Sequence, residues 1–191
     1  MMTENKSLSL KELYIDHLRD IHNAENQIVK TLPKVINKIT APKVKKGLEV
    51  HLKETLRHIE RLNQIFEKLG RNPRGKRCVG MEGVLQEGSE AMSENMEMPE
   101  LMDAALIGAC QKVEHYEISA YETVIALAEW LGESAALRML HKTLEEEKAA
   151  EAKLTQLRIS EVMKGPETFD VPLIKRNSLK KQLTINDSPG G

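Results

Sequence analysis

The stretch LKELYIDHLRDIHNAENQIVKTL, residues 10–32, decides the fold. Leu10, Tyr14, Leu18, Ile21, Ile28 and Leu32 recur at steps of three and four, so they line one face of a helix with 3.6 residues per turn. Glu25 falls in the middle of the same face. An ionised carboxylate taken out of water loses hydration worth several kcal/mol even after relaxation, so it must meet a partner there or be neutralised. This first helix is predicted over about residues 8–39. Ser7 or Ser9 would cap it, with Glu12 three residues after Ser9 as in a capping box, and Pro33 would kink or interrupt it near its end.

Outward from this stretch, Thr40-Ala41-Pro42 is a short connection with a proline suited to the first turn of a second helix. The stripe of that helix is Val44, Leu48, His51, Thr55, His58, Leu62, Ile65, Phe66 and Leu69, closing on Gly70. A short loop makes the two helices an antiparallel hairpin. From Arg71 to Gly83 the period breaks in a basic, turn-rich segment, which reads as a long crossover and as a solvated loop before an anion contact. A short helix follows over about residues 81–94.

A third long helix is predicted from Pro99 to about Leu131, with Leu101, Ala105, Val113, Glu117, Val124, Ala128 and Leu131 as its stripe and Glu114 on the flank. A fourth runs from about Ser134 to Met163 on Leu137, Leu140, Leu144, Glu147, Glu151 and Leu154. Glu145 and Glu146 point elsewhere on that wheel, so Glu147 is taken from the acidic triplet. Beyond Gly165-Pro166 the periodicity ends. The expectation is one all-α domain over residues 1–165, an antiparallel four-helix bundle with a short crossover helix, and a flexible tail over 166–191.

Composition narrows the function classes. Aromatic residues are 3% and apolar residues 40% of the 191, a balance that favours helices over sandwiches or barrels. A net charge of -1 gives no general field for nucleic acid or an anionic membrane, and no apolar run approaches a membrane span. Cys78 and Cys110 form neither a C-x-x-C pair nor a disulfide framework, and the first residues lack a signal-peptide core, so a cytoplasmic location is expected.

Four predicted helices each put a carboxylate on a core-facing stripe. A pair of cations would offset the combined cost, because hard oxygen ligands bind and bridge them, and the known template is Glu from two helices with Glu-x-x-His from two others. This chain departs from it in detail. Helix two carries Glu54 with His58 four residues later and His51 three before, helix three carries Glu114-x-x-Glu117, and helix four carries Glu147-x-x-x-Glu151. Glu25 to Glu54 is 29 residues and Glu117 to Glu147 is 30, so each hairpin places its acids at nearly one height. The candidate ligands are Glu25, Glu54, Glu114, Glu117 and Glu147, each weighed against an acid paired with Lys or Arg at a helix edge. His51 and His58 stand between ligand, orienting group and satisfied core histidine. Tyr116 and Tyr121 flank the acids, as packing residues first and carboxylate partners second.

The stretches Ala24-Glu25-Asn26-Gln27, His51-Leu52-Lys53-Glu54-Thr55, Cys78-Val79-Gly80-Met81-Glu82-Gly83, Lys112-Val113-Glu114-His115-Tyr116-Glu117-Ile118 and Thr143-Leu144-Glu145-Glu146-Glu147-Lys148 closely resemble the YciE/YciF family of bacterial ferritin-like stress proteins. The resemblance spans about residues 8–163 and implies a ferritin-like bundle, a rubrerythrin-like di-iron arrangement and self-association, with a homodimer as the expected oligomer. The first reading is then a protein of two metal ions, iron first with manganese admitted, that reacts Fe(II) with oxygen or peroxide. Glu54 and Glu147 would bridge, Glu25, Glu114 and Glu117 would be terminal, and a histidine would complete one iron. The second is a structural or stress-interaction bundle in which metal only stabilises the fold. A storage cage and DNA protection rank below both.

Overall fold

The computed structural model describes residues 9–96 and 98–163 and is all helical over them, with no strand. The reading of 166–191 as a flexible tail, and Ser7 as a cap, fall outside the described residues.

The first helix, α1, spans Leu10–Lys38 and opens where the Ser9 hydroxyl accepts the Glu12 N–H at 3.2 Å, the capping half of the expected box. Pro33 does not interrupt it, and the proline ring lies on the exposed side. The second, α2, spans Pro42–Leu69 with its proline in the first turn. It stops at Gly70, whose φ of 62° is open to glycine at no steric cost, and Gly132 ends the fourth helix in the same way at φ 70°. Helix α3 covers Val79–Ser93, α4 covers Pro99–Leu131 and α5 covers Ser134–Leu157. The last helix was expected to run unbroken to about Met163. Its α-helical part instead ends at Leu157 and a π-helical turn, Arg158–Val162, completes it.

Side-chain pairs fix the directions. His22 meets Asn63 and Glu12 meets Arg71, so α1 and α2 are antiparallel. Arg61 meets Thr143 and Lys43 meets Glu161, so α2 also runs against the α5 segment. Gln111 meets Thr155 and Glu122 meets Lys148, which sets α4 against α5. Helix α3 packs on α4 and α1.

The interior is not one apolar mass. One cluster gathers Ile28, Leu32, Leu48, Ile107, Val113 and Leu154 with their neighbours, and a second gathers Leu18, Ile21, Leu62, Tyr121, Ile125 and Leu144 with theirs. Between them every long helix contributes polar side chains: Glu25 from α1, His51, Thr55 and His58 from α2, Glu114 and Glu117 from α4, and Glu147 from α5, all buried.

Asp103, buried near the start of α4, reaches out to the α1–α2 connection. It accepts the Thr40 N–H, the Thr40 hydroxyl and the Ala41 N–H, each at 2.8 Å. Helix α2 has no side-chain cap of its own, so this carboxylate supplies one from another helix and sits where the helix dipole favours an anion. No helix among the described residues is long and apolar enough to cross a membrane. Asp103→Ala strips the Thr40 and Ala41 amides, which water can partly reach, of their acceptor and is expected to cost about 1–2 kcal/mol, read as a lower urea midpoint at unchanged slope.

Candidate metal centre

Seven residues apart is two helical turns, so His51 and His58 project from one face of α2; Glu114 and Glu117, one turn apart, do the same from α4. Glu25 and Glu147 face them from α1 and α5. These six side chains form two groups whose ligand atoms lie within 4.8 Å of one another: His51, Glu114, Glu117 and Glu147 in one, Glu25, His58 and Glu147 in the other. Glu147 belongs to both.

In the first group His51 Nε2 lies 3.3 Å from Glu114 Oε1. In the second, His58 Nδ1 lies 2.8 Å from Glu147 Oε1 and 3.4 Å from Glu25 Oε1. Tyr121, fully buried, donates its hydroxyl to Glu25 Oε1 at 2.5 Å. The other face of the His58 ring is held from outside, with Nε2 3.0 Å from Glu146 Oε2. Arg61 clamps both oxygens of Glu146, at 2.6 and 3.0 Å, and donates to Thr143 at 2.8 Å.

Most of the inner atoms make no well-formed hydrogen bond, although His58 Nδ1 faces Glu147 and Glu25, and His51 Nε2 faces Glu114, at ion-pair distance. Glu25 Oε2, both ring nitrogens of His51, His58 Nδ1, Glu114 Oε2 and both oxygens of Glu117 and of Glu147 are buried without a hydrogen-bond partner. Buried polar groups in folded proteins are satisfied almost without exception, so lone pairs converging on common points are what a cation would satisfy. An oxygen-rich set with two imidazoles suits iron or manganese, and the residues present fit such ions.

The sequence-predicted residues divide as follows. Glu25, Glu114, Glu117, Glu147, His51 and His58 come together. Glu54 does not join either group: it lies half-buried at the seam between α2 and α5, 4.0 Å from His51 Nδ1 and 3.5 Å from Arg57. Glu151 bonds Gln111 and Thr155 instead. Tyr116 turns away from the carboxylates to Cys78 and Asp20. Glu146, read as pointing elsewhere, in fact orients His58. Its signal in the sequence was Arg61, three residues after His58 and on the same side of α2, a cation that needs a partner on the facing helix.

A sequence profile of the family described as "Domain of unknown function (DUF892)" matches residues 9–165. Protein YciF of Escherichia coli (strain K12) is 43% identical over 161 residues, which is 83% of this chain and 96% of YciF. The crystal structure of that E. coli stress protein superposes with a TM-score of 0.78 at 41% identity, over 83% of this chain and 100% of its own. YcfI of Rhodopseudomonas palustris, for which a structural role is suggested, gives 0.76 at 42% identity over 81% and 98%. A protein of Xanthomonas campestris, 16% identical, shares the fold with a TM-score of 0.64 over 91% and 98%.

Without a cation the layer is held by protons. Burial, with the nearby Glu147 and Glu25, holds the carboxyls of Glu114 and Glu117 well above the usual range. Burial and Glu25 also lift Glu147, against the pull of His58, to about 7. Burial works to lower His58, but its contacts with Glu147 and Glu25 outweigh that and raise it to about 10. His51 is pushed down to about 4 by burial and by the charge on His58. A carboxyl whose folded pKa is raised contributes stability that is present below its unfolded value and lost as pH rises through the folded one. Three carboxyls and His58 act in that sense; His51 opposes them, losing its contribution as pH falls toward 4, and so do His22, lowered by burial, and Glu146, whose burial is outweighed by Arg61. The metal-free protein is therefore expected to melt at a lower temperature as pH rises from about 5 to about 8, a loss that saturating divalent metal removes. Scanning calorimetry with and without chelator checks this, and a melting temperature that rises over that interval without metal contradicts it.

Proposed function

The chain belongs to the DUF892 family, and from that premise and the buried carboxylate layer we propose a ferritin-like stress-response protein that holds two metal ions, iron first and manganese second, for reaction with oxygen or peroxide. The carrying observation is Glu147, shared by two otherwise separate sets of ligand atoms. A carboxylate with two oxygens that belongs to two neighbouring ligand sets would serve both positions. His51, Glu114 and Glu117 would complete one position, and Glu25 and His58 the other. Glu54, one turn from His51 at the seam, stands outside both sets and is not among the ligands of this reading. The ferritin-like reading is further supported by the helix directions, two antiparallel hairpins joined through α3.

When bound, such an ion pair supplies electrons to a small oxidant. The chain's own residues do the rest. Tyr121 fixes the orientation of Glu25, and Glu146 with Arg61 fixes the ring of His58, whose Nδ1 gives up its proton to become a donor. The apolar clusters close the layer at both ends, and the seam between α2 and α5 leaves His51 and Glu114 on the wall of a cavity. Two free buried cysteines suit the reducing cytoplasm, and exposed Leu56 and Trp130 offer apolar surface for a homodimer.

Anaerobic loading with Fe(II) is expected to give about two ions per chain, with Glu147→Ala losing most of both and Glu117→Ala weakening one. Metal analysis after desalting reads this, and full loading of Glu147→Ala refutes the bridge. The structural role suggested for YcfI supports a second reading, a non-catalytic bundle that metal merely stabilises. Metal-dependent melting without any peroxide consumption selects it.

A further inference from the structure

His51 and Glu114, 3.3 Å apart, each stand on the walls of two cavities. One is the seam between α2 and α5, about 540 Å³, whose walls include the charged side chains of Lys46, Glu54, Glu146 and Lys153. The other is a cleft of about 30 Å³ where α3 packs over α1 and α4. One water-sized molecule needs about 10–15 Å³ of such space, so the cleft has room for a guest of about two heavy atoms.

Its lining decides which guest. Ile28 and Leu32 of α1, Val84 and Leu85 of α3, and Ala109 and Val113 of α4 form the sides. Gly88, where α3 meets α4, adds no side chain, and a Cβ there would stand 3.4 Å from that of Ala109. Apart from Thr31 and the Cys110 thiol, the polar side chains on the wall are His51 and Glu114 themselves. Thr31, Val84 and Met92 are half-buried while His51 and Glu114 are buried, so the cleft runs from near the surface to the centre. A water molecule is held by about two to four polar partners, and along most of this path it finds none. Hydrogen peroxide would likewise shed hydration with nothing to replace it. An apolar diatomic has little hydration to lose and gains contact with the aliphatic walls.

We propose that this cleft is a binding site for molecular oxygen, which it delivers to the His51–Glu114 side of the centre, while polar solutes have the α2–α5 seam. The delivery rests on the metal-centre reading, but the gas site itself does not require metal, and the two are tested separately.

The full chain, freed of metal and labelled at its Ile, Leu and Val methyls, is held under oxygen pressure, and methyl NMR relaxation is compared with that under nitrogen. Oxygen is paramagnetic, so the methyls of Ile28, Leu32 and Val113 are expected to show an enhancement at least about threefold that of Leu18, Leu62 and Val124, which are buried in the other cluster. Ala109→Leu, which fills the cleft, is expected to remove the excess. With iron loaded anaerobically, the same variant is expected to slow oxidation by oxygen about fivefold or more and to leave oxidation by added hydrogen peroxide unchanged. No excess at these methyls, an excess that survives Ala109→Leu, an unslowed reaction with oxygen, or equal slowing of both oxidants overturns the proposal. Should Ala109→Leu fail to fold by circular dichroism, Val84→Phe takes its place. An excess in protein that takes up no iron removes the centre and spares the gas site; full iron loading without the excess does the reverse.

Discussion

Four carboxylates and two imidazoles meet in the middle of a helical interior with almost no hydrogen bonds among their inner atoms. That convergence is the constraint on which the rest depends. Burying one unpartnered carboxylate is costly, and a chain that does so on three of its four long helices has either to keep them protonated or to supply cations. The surrounding structure supports the second use. Partners outside the ligand set hold Glu25, through Tyr121, and His58, through Glu146, so that their inner atoms are left to face only one another and the other ligands. The arrangement orients donors inward.

Much of this was legible in the chain. The hydrophobic period located the four long helices, and the 100° rotation placed Glu25, Glu117 and Glu147 on buried faces; the short crossover helix was expected at about residues 81–94 without a stripe of its own and lies at Val79–Ser93. It served less well for residues whose role depends on the rotation of a neighbouring helix. Glu114, assigned to a flank, is as buried as Glu117, because α3 and α5 close over α4 from two sides. His51 and His58 could not be told from satisfied core histidines, since their facing acids come from other helices. Glu54 is near the right phase, yet the gap between α2 and α5 leaves it at the edge. Glu146 is the reverse case: a surface position on its own wheel, drawn inward by Arg61.

Asp103 was invisible for a related reason. Its partners, Thr40 and Ala41, lie more than sixty residues earlier in the chain, and nothing in the local pattern of α4 distinguishes it from a solvated acid. The π-helical turn after Leu157 had no local signal either; there Arg158 reaches Gln111 on α4, a contact set by helix packing rather than by propensity. Periodicity thus reports which face is buried, and only the assembled helices report what that face meets.

The two apolar clusters on either side of the polar layer carry a consequence for how the molecule moves. Each cluster spans all the long helices, so each end of the domain is an independently packed block, and the blocks meet at a waist that has little apolar cohesion of its own. Backbone amides near Glu25, Thr55, Glu117 and Glu147 therefore belong to the part whose protection against hydrogen exchange is set by what occupies the waist, while the ends keep theirs. An ion pair in the centre would, in that sense, join two cooperative units into one.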